Sequence, residues 1–413
     1  MRAQELCETP NASRRRVLLA GGAIFGWAYM PKFARAAEGR DPRLITIILR
    51  GALDGLSAVA PIGDPDYARL HGSLALSPSG ENAGIALGDS FFALNPAMKN
   101  FARLFHAKKA LIVHAVATPY RERSHFDGQD VLESGQAGPG KIQTGWLNRA
   151  LEALPQGEPV RLRKGGLGIG PIMPLILRGP AKVTGWAPTQ MPPAGDDLAA
   201  RVLDLYAHTD PALGAALIQG LDLEKIAARQ MAGQQAGNGG GEAGYMRRVA
   251  EGAARLIVAD DGPRIAAMAF DGWDTHANEG GATGRLAALL GGLDGAIEAF
   301  ELGLGAAWKD TIIVVVTEFG RTVRINGTTG TDHGTGTVAF LAGGAVKGGR
   351  VIADWPGLAE AQLWQNRDLR PTTDLRAVLK GVLADHLGLS RAALDQRVFP
   401  DSSAAAAVKD LVA

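Results

Sequence analysis

The chain has 413 residues, 46% of them hydrophobic, enough apolar material for a large core in two or three domains or one long α/β domain. Charge is nearly balanced, 43 Lys/Arg against 42 Asp/Glu, and no basic run stands out, so no nucleic-acid partner is expected.

Taken in chain order, the first feature is a targeting signal. Ser13-Arg14-Arg15-Arg16-Val17-Leu18-Leu19 opens an apolar stretch to about Tyr29, and Lys32 and the small-x-small triplet Ala34-Arg35-Ala36 follow. This reads as a twin-arginine export signal over residues 1–36, cut before Ala37. The apolar stretch is interrupted by glycines and shorter than the ~20 residues of a spanning helix, so no stable membrane span is expected in the mature chain. Residues 1–36 hold six Lys/Arg, two Asp/Glu and the only cysteine, Cys7. The mature chain is therefore expected at about −3, without disulfides or thiolate metal ligands, in the periplasm or outside the cell. The twin-arginine translocase would be its partner during export.

From Arg43 onward, β-type apolar runs alternate with helical patterns, the mark of βαβ units. The expected strands are Leu44–Leu49, Ala110–Val116, Ile265–Phe270, Thr311–Thr317 and Val338–Leu341. Asn95 to Phe105 reads as a helix with Asn95 as cap and Pro96 in the first turn. Leu286, Leu289, Leu290, Leu293, Ile297 and Phe300 fall on one helical face. Thr373-Asp374 would cap a helix carrying Leu375, Val378, Leu379, Val382, Leu383 and Leu387. Gln234 to Gly244 reads as a flexible glycine-rich loop, not a domain boundary. Residues 37–400 are expected to form one domain, and residues 401–413 a tail of low information.

Acids and histidines follow several of the apolar runs. Asp54-Gly55 comes shortly after the first strand, Asp274-Thr275-His276 after the third, Glu318 directly after Thr311–Thr317, and Asp332-His333-Gly334 just before Val338. In a parallel sheet, residues past the carboxyl ends of the strands converge on one crevice. Carboxylates and imidazoles gathered there repel or desolvate one another unless a cation sits among them. Read singly, each has a bland alternative: Asp54-Gly55 is a common turn, Asp274 a capping residue, and Glu318 with Arg321 a structural ion pair. Together they suggest a metal site, with Asp332 ligating or orienting His333. Imidazoles suit zinc, manganese or iron; magnesium or calcium would fit mainly with the histidines outside the first ring of ligands. Ser124, at the start of an apparent helix, reads either as a cap with Asp127 three residues on or as a nucleophile, with His125 beside it. Arg121, Arg123 and Arg321 would suit the oxygens of an anionic ester.

Arg50-Gly51-Ala52-Leu53-Asp54-Gly55-Leu56, Arg123-Ser124-His125-Phe126-Asp127, Thr144-Gly145-Trp146-Leu147-Asn148-Arg149, Gly272-Trp273-Asp274-Thr275-His276, Thr317-Glu318-Phe319-Gly320-Arg321 and Thr331-Asp332-His333-Gly334 occur in that order. In these motifs the chain, from about Leu44 to Leu389, resembles the bacterial "domain of unknown function 1501" group, typically exported by the twin-arginine route. That group is similar to the alkaline phosphatase and sulfatase superfamily. The resemblance implies a three-layer α/β/α sandwich around a mostly parallel sheet, with two divalent ions and an oxygen nucleophile acting at phosphorus or sulfur. It implies metal-ligand roles for Asp54, Asp274, His276, Glu318 and His333. Two departures stand out. Glu318-Phe319 replaces the superfamily's strand-end Asp-His pair, and one residue separates Asp274 from His276 where phosphatases usually have three.

The expectation is an exported, metal-dependent hydrolase of phosphate or sulfate esters, with an anionic ester as substrate. One or two divalent ions (Zn, Mn, Mg or Ca) would be held by Asp54, Asp274, His276, Glu318, Asp332 and His333. Catalysis would involve Ser124, His125 and Arg321. The alternatives are a non-catalytic envelope binding protein on the same scaffold, favoured by Phe319, and a phospho-group transferase.

Overall fold

Five apolar runs supply the middle of a nine-stranded sheet in the order β11-β5-β10-β9-β1-β8-β6-β7, with β12 beside β5. The structure, a computed structural model, describes residues 40–88, 90–154, 165–170, 172–188, 202–203, 206, 210–218, 220–221 and 241–413. The export signal, Cys7 and residues 234–240 of the glycine-rich stretch lie outside the described residues.

The strands are β1 (Arg43–Leu49), β5 (Ala110–Ala117), β6 (Gly166–Ile169), β7 (Val183–Trp186), β8 (Ile265–Phe270), β9 (Thr311–Thr317), β10 (Thr337–Ala342), β11 (Val351–Ile352) and β12 (Thr373–Asp374). A separate small sheet holds β2 (Val59–Ala60), β3 (Ile85–Leu87) and β4 (Phe92–Leu94). β1 lies at the centre, parallel to both β8 and β9. β10 alone runs against its neighbours β5 and β9. The order in sequence hides this reversal, yet it matters: the amino-terminal end of β10 shares an edge with the carboxyl ends of β1, β5, β8 and β9.

β1 and β9 are buried along their whole length, as their unbroken aliphatic composition requires in a sheet covered on both faces. Their residues alternate between two cores. Ile45, Ile47, Leu49, Ile313 and Val315 face helices α3 (Lys99–His106), α6 (Gly241–Val258) and α7 (Arg285–Leu304). Leu44, Ile48, Ile312, Val314 and Val316 face α5 (Trp146–Ala153) and α8 (Leu375–Leu387). The fold is thus three layers, helices over both faces of a mostly parallel sheet. All six apolar positions read on α7 lie in the first core, and Asp374 caps α8 through Arg376 N at 2.8 Å.

Two expectations are corrected. Asn95 caps no helix: its amide donates to Ser57 O and Gly281 O, both at 3.0 Å, and α3 starts four residues later. The Asp294 carboxylate of α7 supplies the cap, accepting from Asn100 N at 2.9 Å and Phe101 N at 2.7 Å. Gly241 to Gly244 open α6 rather than continue a loop, because Gly292 of α7 lets the two helices approach closely at Ala243. The tail is packed: Leu411 is fully buried, Lys347 N donates to Leu411 O at 2.9 Å, and Val346 pairs with Val412. Among the described residues no helix is long and apolar enough to cross a membrane.

Phe340 of β10 is fully buried and meets Phe101 edge-on, with ring centroids 5.2 Å apart. Phe340→Ala is expected to lower the unfolding free energy by ~3–5 kcal/mol in urea titration. A loss below ~1 kcal/mol would show that this contact does not anchor α3 to the sheet.

Candidate metal centre

At the shared edge, each strand delivers one part of a polar cluster. Asp274 and His276 follow β8, Glu318 follows β9, His333 precedes β10, and His125 opens helix α4 (His125–Ser134) beyond β5. The turn after β1 lets the β8 loop close in. Gly51 sits at φ +123°, and any side chain there would overlap the backbone nitrogen of Asp274.

Three imidazoles turn the same nitrogen toward one point. His125 Nε2 and His276 Nε2 lie 2.9 and 3.0 Å from His333 Nε2. The Asp274 carboxylate joins them, Oδ1 at 3.0 Å from His276 Nε2 and 3.3 Å from His333 Nε2, and Oδ2 at 3.5 Å from His125 Nε2. Each ring is held from behind through Nδ1: His125 by Glu318 Oε1 at 2.9 Å, His276 by Asp332 Oδ1 at 3.1 Å, His333 by the Arg123 carbonyl at 2.9 Å. A carbonyl or carboxylate oxygen only accepts, so each Nδ1 carries a proton, and a ring in its neutral form turns its Nε2 lone pair inward. Three lone pairs and a carboxylate at such distances repel one another unless positive charge lies between them. Three imidazoles and one carboxylate, each ring fixed by a second partner, fit a divalent transition ion such as zinc, manganese or iron. They do not fit the oxygen-rich shells of magnesium or calcium. His125, Asp274 and His333 offer ligand atoms within 4.8 Å of one another, and His276 Nε2 lies beside two of them, 3.0 Å from both His333 Nε2 and Asp274 Oδ1.

The electrostatics follow from these contacts. The hydrogen bond to Glu318 raises His125 above the usual histidine range, against the effect of burial. Burial, reinforced by the charge of His125, lowers His333. Burial alone would raise Asp274, but the hydrogen bond and charge of Arg321 hold it below the usual carboxylate range. Asp274 and His276 are each 44% exposed, so the cluster is open to a solute.

The sequence-derived candidates sort into different places. Asp274, His276 and His333 meet in the ring, joined by His125, which the sequence reading grouped with the nucleophile. Glu318 does not face the ring; it stands behind His125 and also accepts from Gly51 N at 2.8 Å. Asp332 orients His276, not its neighbour His333. The structure does not bring Asp54 to the ring. Its buried carboxylate caps the short helix α1 (Gly55–Ala58), accepting from Leu56 N at 2.9 Å, and lies 3.2 Å from His71 Nε2. Burial works against its charge, but His71 outweighs it and pulls Asp54 down to about 2.

Ser124 caps α4 through Asp127 N at 3.5 Å, the first of its two readings. Arg321 is buried and fully engaged, with Asp274 Oδ1 at 2.7 Å, Thr331 Oγ1 at 3.1 Å and Thr331 O at 2.5 Å. Arg123 binds Asp368 at 2.9 Å and Gln365 at 2.6 Å, and Arg121 the carbonyls of Thr118 and Tyr120. These guanidinium groups hold the protein rather than face a ligand. Sequence reasoning missed His71, Glu279 and the Arg123 carbonyl. Arg123-Ser124-His125 offered only the adjacency of the last, and the other two carried no signal.

The family described as "Protein of unknown function (DUF1501)" matches residues 105–399, and the chain belongs to that family. Asp54 lies outside the matched residues; the ring and its supports, Gly51 apart, lie within them. No curated protein matches the chain. Among solved structures it is similar to Ps i-CgsB in complex with k-i-k-neocarrahexaose, at TM-score 0.42 and 11% identity over 85% of this chain and 73% of that one. It is also similar to the phosphonate monoester hydrolase of Agrobacterium radiobacter, at TM-score 0.33 and 13% identity over 85% and 74%. PsFucS1 sulfatase from Pseudoalteromonas sp. is similar at TM-score 0.33 and 11% identity over 83% and 68%.

Two outcomes are expected of this geometry. In metal-free protein, a nitrogen-detected NMR titration should show His125 taking its proton at higher pH than His333; the reverse order would contradict the Glu318 contact. Gly51→Ala should destabilise the fold by ~1–3 kcal/mol in thermal unfolding, from overpacking against Asp274. An unchanged melting temperature would show that the approach is not tight.

Proposed function

We propose that this member of the family of unknown function is an exported, metal-dependent hydrolase of phosphate or sulfate esters, holding one divalent transition ion between His125, Asp274, His276 and His333. The observation that carries the reading is the convergence of three back-bonded imidazole Nε2 atoms on one carboxylate. Asp54, neutralised by His71 at a separate place, supports one ion in this ring rather than two. A bound cation would supply the positive charge that polarises a phosphoryl or sulfuryl oxygen and offsets developing negative charge.

The chain's own residues carry the rest. Glu318, Asp332 and the Arg123 carbonyl fix the rings so that little reorganisation accompanies binding. Arg321 keeps Asp274 ionised. Arg367, whose side chain is 41% exposed and which donates to His333 O at 2.7 Å, is the cation at the rim suited to an anionic substrate, a role the sequence reading gave to Arg121, Arg123 and Arg321. Ser124 is the nucleophile of this reading. Its cap bond is long, 3.5 Å, and holds the hydroxyl weakly at the start of α4, next to His125. Export by the twin-arginine route rests on Ser13-Arg14-Arg15-Arg16 and the triplet ending at Ala36, and places the mature chain in the periplasm or outside the cell.

One observation favours the non-catalytic alternative. Phe319, where the superfamily carries a histidine, is buried and stacks on His125 with centroids 5.1 Å apart. Elemental analysis of the purified mature protein should find one zinc, manganese or iron per chain. Chelation should lower the melting temperature, since ligand at a hundredfold its Kd contributes ~2.7 kcal/mol. Aryl phosphate or aryl sulfate turnover should vanish in Asp274→Ala with His276→Ala. Metal uptake without turnover of either ester would support the binding-protein alternative, and turnover that survives the double substitution would remove the role given to the ring.

A further inference from the structure

Beneath the ring lies a buried acid that the proposed chemistry does not use. Glu279 is fully buried, and its Oε2 accepts the Thr331 hydroxyl at 2.7 Å. Thr331 is itself buried, and its oxygen accepts from Arg321 Nε at 3.1 Å, while its carbonyl accepts from Arg321 Nη2 at 2.5 Å. Arg321 then reaches the ring, donating from Nη1 to Asp274 Oδ1 at 2.7 Å. A hydroxyl has one proton. Because that of Thr331 points to Glu279, its lone pairs are turned toward Arg321, and the whole line has one direction from Glu279 to Asp274.

We infer that Glu279 is a positioning residue for the metal centre, holding Asp274 through Thr331 and Arg321, an inference that rests on reading the ring as a metal site. Arg321 is a fully buried guanidinium at the edge of a site meant for a dication. Two carboxylates stand against it, Asp274 directly and Glu279 through Thr331. A cation that draws on the charge of Asp274 leaves Arg321 less well compensated, and an uncompensated buried charge is strongly unfavourable. Glu279, once ionised, supplies the second negative charge, and the Thr331 hydroxyl carries its hydrogen bond to Arg321. The other charged groups that act on it are Asp54, which opposes its ionisation, and His71, which favours it. Its Oε1 has no hydrogen-bond partner among the described residues, and burial with the nearby Asp54 pushes its acid up to about 8. An acid in so unfavourable a place is poorly explained by shape alone, because a glutamine would accept the same hydrogen bond from Thr331.

That difference makes the test. Full-length mature protein is loaded with Co2+ as the probe, and two readouts are taken: affinity by equilibrium dialysis and the visible ligand-field spectrum. At about pH 9, above the raised acid of Glu279, Glu279→Gln keeps shape and hydrogen bond but removes charge. It should weaken Co2+ binding about tenfold, within the range for groups that support ligands, and shift the ligand-field bands. Thr331→Val should do the same, Thr331→Ser should restore both readouts, and the double variant should be little worse than either single one, since the residues act in series. Far-UV circular dichroism verifies folding; should Glu279→Gln not fold, the Thr331→Ser and Thr331→Val pair reads the same line. Unaltered affinity and spectrum in Glu279→Gln and Thr331→Val, in protein that binds Co2+, would overturn this inference alone. Unmodified protein that takes up no Co2+ would overturn the metal-centre reading and this inference with it.

Discussion

Three hydrogen bonds made on the far side of the imidazoles decide what this edge of the sheet can be. Glu318, Asp332 and the Arg123 carbonyl each take the Nδ1 proton of one ring, at 2.9, 3.1 and 2.9 Å. Without them the rings could rotate and exchange tautomers, and Nε2 atoms at 2.9 and 3.0 Å could hydrogen-bond to one another. With all three in place, every inward nitrogen of a neutral ring is an acceptor, and only added positive charge, a proton on His125 or a cation, relieves the repulsion. The other features at the edge serve this arrangement. Gly51 lets the Asp274 loop close over β1, Glu318 is anchored by Gly51 N and Thr317 Oγ1, and Arg321 holds Asp274 charged.

The sheet makes such convergence possible because its topology is almost uniform in direction. Four parallel strands end at one edge, and the reversed β10 begins there. His333, four residues before the start of that strand in a loop from β9, therefore returns to the same place. A fully parallel β10 would have carried its preceding loop to the opposite edge. The single reversal is thus a condition of the ring.

Much of this was legible in the sequence, for a physical reason. Strands buried on both faces must be uniformly apolar, so LITIIL and TIIVVVT announce themselves, and polar residues placed just past them fall at one edge. Which polar residue faces the ring was not legible. Asp54 and Asp274 look alike as strand-end acids, yet Asp54 meets His71, seventeen residues on at the end of helix α2 (Tyr67–His71), and no local pattern marks that partner. His125 looked like the neighbour of a nucleophile because ligation depends on where α4 starts, which Ser124 and the φ of Arg123 fix together. β6 and β7 were missed because GLGI and VTGW are short and glycine-bearing, and the pairing of β6 with β8 and of β7 with β6 overrides their weak strand propensity.

The backbone carries a cost for this preformed site. Arg123 sits at φ +61° and Ala52 at φ +70°, both in the left-handed region that side-chain-bearing residues avoid. Arg123 is the more informative of the two. Its strained φ aims the carbonyl at His333 Nδ1, and its side chain is tied to Asp368 and Gln365 on the opposite side. A glycine would adopt that φ without strain, but it would have no guanidinium to pin the turn. The residue therefore has two parts with one purpose, the side chain securing a backbone geometry that the backbone alone disfavours. Strain of ~1–3 kcal/mol held this way fixes His333 without any ion, in the geometry that the proposed metal centre would use.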